Sequence, residues 1–167
     1  PGHWVDTKMG NIHGVVWYRR EFTVPAAMAG KQASLQFGRI VDADSIYING
    51  RFIGTVGSQW SQRNYRIPEN VLKEGSNVII VRVINFIGHG GIVPGKPYKI
   101  TADNNTINLE GIWKYRVGAT AETLPDRVSN IKIPSGLFTS MIAPLLDYKI
   151  KGVVWYQGES NTIKAGE

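Results

Sequence analysis

Ser45-Ile46-Tyr47-Ile48-Asn49-Gly50-Arg51-Phe52-Ile53-Gly54-Thr55-Val56 is two β-rich runs joined by Asn-Gly. A two-residue hairpin loop of type I′ needs positive φ at both central positions, and Asn-Gly is the pair that tolerates this best. The stretch therefore predicts a hairpin turning at Asn49-Gly50, and with it an antiparallel sheet.

The runs on either side agree. From Val15 to Val24, Val16, Tyr18, Phe22 and Val24 share one parity, interrupted by Arg20, and Trp17, Arg19, Glu21 and Thr23 share the other. That alternation is a half-buried strand. Pro25 ends it, since proline donates nothing to a ladder. Ala33 to Gly38 alternates again, and Asn64 to Ile67 is a short strand closed by Pro68. Glu69 to Lys73 is read as one helical turn. In Asn77 to Ile84, Ile79, Val81 and Val83 should face a core, with Val78, Ile80, Arg82 and Ile84 opposite. Tyr98 to Ala102, Ile107 to Leu109 and Trp113 to Gly118 supply the last strands. Many short strands separated by turn signals indicate a β-sandwich.

The 167 residues suffice for one ordinary domain, or a small one with a further segment. No apolar run approaches the roughly 18 residues of a membrane span, so no membrane contact is expected. Pro1-Gly2-His3-Trp4 has neither the basic start nor the apolar core of a signal peptide. Net charge is +6. The basic residues are scattered, however, and the adjacent Arg19 and Arg20 point to opposite faces of a strand. A nucleic-acid footprint is therefore not expected. With no cysteine in the chain, disulfides and Cys-based zinc sites are excluded.

After Thr120 to Lys132, a polar stretch, the pattern changes. Ser135 is a candidate N-cap for a helix over 136–147, kinked or ended near Ala143 by Pro144. Leu137, Met141 and Leu145 have the spacing of a buried stripe. Val153-Val154-Trp155-Tyr156 is an unalternating apolar run bounded by glycines, which reads as a strand buried on both faces. The polar residues Gln157, Gly158, Glu159, Ser160 and Asn161 follow it directly, where open α/β sheets place ligand sites.

Trp155-Tyr156-Gln157-Gly158-Glu159-Ser160-Asn161, with Gly136 to Leu146, resembles the sialate O-acetylesterase family, carbohydrate acetylesterases of the SGNH-hydrolase type. Trp17 to Pro25, Asp42 to Gly50 and Leu72 to Ile79 are similar to the jelly-roll, galactose-binding-like domains beside the catalytic domains of β-galactosidases. In the sialate esterases such a domain is inserted within the hydrolase. The combined resemblance implies a mostly β chain: a jelly-roll β-sandwich over 1–120, then a helix-strand fragment of an α/β SGNH hydrolase over 121–167. It implies a parent enzyme, periplasmic or extracellular, that removes O-acetyl groups from sialic acids or another acetylated glycan, with the remainder of the hydrolase domain as partner and no cofactor.

The resemblance also assigns roles. Gly158 and Asn161 match the block whose backbone N–H and side-chain amide donate to the oxyanion, and Gln157 and Glu159 would line or brace the substrate site. A polar turn with Asn161 capping a helix is the plainer alternative. Ser160 matches a nucleophile elbow only halfway, because Thr162 replaces the second glycine and His3, His13 and His89 all precede it. The blocks carrying the family's serine and its Asp-x-x-His are missing, so the chain alone is expected to be inactive. A non-catalytic carbohydrate-binding or spacer module of a glycoside hydrolase is the alternative from another class.

Elsewhere, Trp60 lies among Gln59, Ser61, Gln62 and Arg63. It could stack on a sugar; covering one end of the sandwich is the preferred reading, because tryptophan is usually well buried. The jelly roll is accordingly expected to shape access to a catalytic site without binding simple sugars tightly. His89 has no second ligand at metal spacing, so no metal is expected there. Asp42 and Asp44 are read as turn caps in preference to calcium ligands.

Overall fold

The fold is described from a computed structural model, which defines residues 2–122, 135, 136 and 138–154. The chain divides into two compact units, Pro1–Pro125 and Asp126–Glu167.

The first unit is an antiparallel β-sandwich. Its strands are β1 (His13–Val24), β2 (Ala33–Phe37), β3 (Ile40–Val41), β4 (Ala43–Ile48), β5 (Arg51–Val56), β6 (Asn64–Ile67), β7 (Gly75–Asn85), β8 (Gly91–Ile92), β9 (Tyr98–Ala102), β10 (Asn105–Asn108) and β11 (Lys114–Ala121). One sheet runs β11-β1-β7-β4-β5 and the other β10-β9-β2-β6, while β3 and β8 form a small ribbon.

The register explains the core. Tyr18 pairs with Val81, and Val81 with Ile46, so one row crosses three strands on the inner face. Ile79, Val81 and Val83 are fully buried, as the alternation predicts. From the second sheet come Leu35, Phe37, Ile67 and Ile100, also buried. Phe37 meets Tyr98 and Trp113 edge to face, with ring centroids 5.2 and 5.5 Å apart. These residues form one continuous apolar cluster between the sheets.

The Asn-Gly turn joins β4 to β5. Asn49 has φ 50° and Gly50 φ 81°, both positive as a type I′ turn requires. The Asn49 side chain extends its role: its amide donates to Val71 O and to Asn77 Oδ1, and its own Oδ1 accepts from Val78 N. The turn is thus tied to the start of β7.

Arg20, which interrupts the apolar parity of β1, is accommodated by polar partners. Its guanidinium donates to the Leu109 and Glu110 carbonyls and lies 5.9 Å from the Trp113 ring centroid. Residues 69–73 form turns and not the expected helical turn; Asn70 has φ 62°, a left-handed conformation that breaks helical geometry. Val71 and Leu72 are nonetheless buried.

In the second unit, a turn of π-helix (Phe138–Ile142) is followed by a 3₁₀ turn (Ala143–Leu145) containing Pro144. The predicted buried stripe is corrected at Met141 and Leu145, which are exposed, while Leu137 lies outside the described residues. Val153 and Val154 are exposed and outside any strand, against the buried strand read from their apolar run. An unalternating run is buried only where neighbouring strands flank it and other elements cover both faces. Among the described residues nothing pairs with these two. The helix-strand fragment of an SGNH hydrolase is therefore not supported. Trp155 to Asn161, including Gln157, Gly158, Glu159 and Asn161, lie outside the described residues.

Candidate functional site

One end of the sandwich is organised by a buried arginine. Arg63 stands just before β6, and its side chain is removed from solvent. A buried guanidinium requires partners for charge and for five N–H donors. Its Nε donates to Asp44 Oδ1 at 2.7 Å; Nη1 donates to the carbonyls of Ser58 and Ser61 at 2.8 and 2.5 Å; Nη2 donates to the carbonyls of Asp42 and Val56 at 2.9 and 3.5 Å. All five donors are engaged.

Asp44, on β4, is equally enclosed. Its second carboxylate oxygen accepts from Tyr65 Oη at 2.6 Å. Burial pushes the Asp44 carboxyl above its ordinary range, opposed by the hydrogen bonds from Tyr65 and Arg63. The Tyr65 hydroxyl is raised by burial and by its bond to that carboxylate. The expected turn-capping role holds instead for Asp42, whose Oδ2 accepts from the backbone N–H groups of Phe86 and Ile87 at 2.7 and 3.1 Å. Asp42, between β3 and β4, so holds the loop after β7 with its carboxylate while its carbonyl accepts from Arg63.

Above Arg63 sits a turn over Ser58–Ser61, closed by Ser61 N donating to Ser58 O at 3.3 Å. The two carbonyls held by Arg63 Nη1 are the two ends of this turn. Trp60 is at its tip and is 74% exposed. The expectation that Trp60 covers the sandwich is therefore corrected. Its turn is held by the bonds from Arg63, and the ring itself stays outside the buried cluster. The Arg39 guanidinium carbon lies 5.9 Å from the Trp60 ring centroid. Phe86 and Ile87, on the loop tied to Asp42, are also exposed.

His89, the histidine weighed above as a metal ligand, is exposed on that same loop. Among the described residues no group of three or more His, Asp or Glu is placed to hold a metal ion. Arg39 escapes sequence reasoning, since a single arginine between Gly38 and Ile40 carries no pattern. In the sequence Arg63 stands out only as a neighbour of Trp60. A cationic residue directly before a strand is too common a feature to mark a buried one.

The family model described as Glycosyl hydrolases family 2, sugar binding domain, matches residues 3–121, and the chain belongs to that family. No curated protein matches. Similar solved structures include a β-glucuronidase from an uncultured Clostridium sp. (28% identity, TM-score 0.47, covering 53% of this chain and 16% of that one). A β-glucuronidase from Ruminococcus gnavus is 25% identical, with TM-score 0.47 and the same coverage. A family 2 β-galacturonidase from Eisenbergiella tayi is 20% identical, with TM-score 0.44, covering 53% of this chain and 15% of that one. The chain thus spans about a sixth of the length of these structures.

The match corrects the esterase reading. The sialate O-acetylesterase resemblance rests chiefly on residues 136–146 and 155–161, whereas the family model covers most of the chain and describes a glycosyl hydrolase's binding domain. The expectation of an esterase activity is overturned with it; a carbohydrate ligand fits the match, but acetylated sialic acid is not supported. The jelly-roll, galactose-binding-like character of the first unit agrees with the match. The oxyanion roles of Gly158 and Asn161, and the lining roles of Gln157 and Glu159, are implied by that resemblance alone and concern residues outside those described.

Proposed function

We propose that this chain is the sugar-contacting module of a family 2 glycoside hydrolase, and that it works through the Trp60 end of the sandwich beside the rest of that enzyme. The observation that carries this is Trp60 itself: a large apolar ring left 74% exposed at the tip of a turn whose two ends are clamped by a buried arginine. Exposed tryptophan is unfavourable in water, and a rigid mount removes the ordering penalty that weakens loop-borne sites. Stacking against the C–H face of a pyranose uses both properties.

One aromatic gives a shallow platform, so the isolated module should bind simple saccharides with Kd weaker than about 1 mM, around −4 kcal/mol. Useful affinity arises when the remainder of the hydrolase contributes contacts to the same saccharide. The module ends near residue 120, a boundary supported by the family match ending at residue 121. An extracellular or periplasmic location belongs to the same proposal, since polymeric glycans reach an enzyme there without transport.

The test is an NMR titration of the 167-residue chain with a panel of oligosaccharides, following the indole N–H signals. Millimolar saccharide should shift the Trp60 indole, and Trp60→Ala should remove binding without unfolding the chain. Shifts confined to another surface, unaffected by Trp60→Ala, would move the contact elsewhere.

A further inference from the structure

Resting on that reading, we infer that the Trp60 platform selects acidic sugars, with the Arg39 guanidinium receiving the carboxylate of a hexuronic acid stacked on the indole. Arg39 is half-buried, yet among the described residues its charge has no ion-pair partner. The ion pairs among the described residues are Arg19–Glu21, Lys31–Asp103 and Arg63–Asp44, and none involves Arg39. The two carboxylates nearest in sequence are already engaged. Asp44 is taken by Arg63 and Tyr65, and Asp42 by the backbone of Phe86 and Ile87. The Arg39 Nε is buried without an acceptor.

The side chain is nevertheless held at the platform: its Nε is buried, and the guanidinium carbon lies over the Trp60 ring in a cation–π contact, 5.9 Å from the centroid. The cation is thus pre-positioned within one sugar ring's reach of the stacking surface. Arginine binds carboxylate through paired N–H donors, which are shorter and stronger than neutral hydrogen bonds. A neutral hexose stacked on the same ring would supply only a hydroxyl there, leaving the charge uncompensated. The net charge of +6 favours approach of an anionic saccharide further.

The experiment compares methyl β-glucuronide with methyl β-glucoside on the 167-residue chain at low salt, since the two ligands differ in carrying a carboxylate or a hydroxymethyl group on the same ring. The glucuronide should bind about tenfold tighter, in keeping with a charge-assisted pair at a partly exposed site, and the preference should shrink as salt is raised. Arg39→Gln should reduce the two affinities to near equality while the Trp60 indole still responds, and Arg39→Lys should keep part of the preference. If Arg39→Gln does not fold, the salt series on the unchanged chain and the Arg39→Lys comparison decide the matter. Equal affinity for both glycosides would overturn this inference and leave the sugar-contact reading standing. No Trp60 response to either glycoside, or to longer acidic and neutral oligosaccharides, would overturn both.

Discussion

The Nε of Arg63 donates to Oδ1 of Asp44 at 2.7 Å, with both side chains wholly removed from solvent. The pair links β4 to the start of β6 and holds the Trp60 turn through the remaining arginine donors. Breaking a buried pair from one side leaves an uncompensated charge, which costs about 3–5 kcal/mol. Arg63→Ala and Asp44→Ala should each destabilise the domain by that order, measured by urea unfolding. The double substitution should cost clearly less than the sum. Additive losses would mean that the two side chains do not act as a pair.

Gly54 lies against the Tyr65 ring. A Cβ at Gly54 would stand 2.3 Å from Tyr65 Cδ1, while its backbone is not in the left-handed region. The glycine is therefore required for space and not for conformation. Gly54→Ala should cost about 1–3 kcal/mol, the range for an overpacked interior. It should also displace the Tyr65 hydroxyl from Asp44. A melting temperature equal to that of the unchanged chain would refute the close approach.

Trp60→Ala should leave stability within about 0.5 kcal/mol, as for exposed positions away from packing. Phe37→Ala, in the same sandwich but fully buried, should cost about 3–5 kcal/mol. Comparable losses at the two positions would return Trp60 to a packing role.

Stability should fall at alkaline pH. Burial pushes the Tyr18 and Tyr98 hydroxyls up to about 12 from an ordinary 10.0, and raises that of Tyr65 as well. The folded chain holds these protons more tightly than the unfolded chain does. Their contribution is therefore fully present below about pH 10 and is lost as pH rises from there towards about 12. Phenolate absorbance and circular dichroism followed together check this. Ionisation of these three tyrosines near pH 10 with the fold intact would contradict it.

What the sequence determined by itself is the sandwich. The alternation of Val16, Tyr18, Phe22 and Val24, the Ile79-Val81-Val83 face and the Asn49-Gly50 turn are local signals, because strand parity and left-handed turn residues act over a few positions. The end of the fold that carries the proposed site was not legible in this way. Whether Trp60 is buried depends on whether the space beneath it is filled, and that space is taken by Arg63, whose partners come from separate positions between Asp42 and Ser61. Arg39 gains its meaning only when the turn brings the indole beside it. The apolar run at Val153 and Val154 failed as a predictor for a related reason: burial requires neighbours, and a sequence pattern records the demand for them without supplying them. Parity and turn chemistry are properties of the chain, whereas exposure and charge compensation are properties of what the fold places around a residue. Only the tertiary structure could decide the latter.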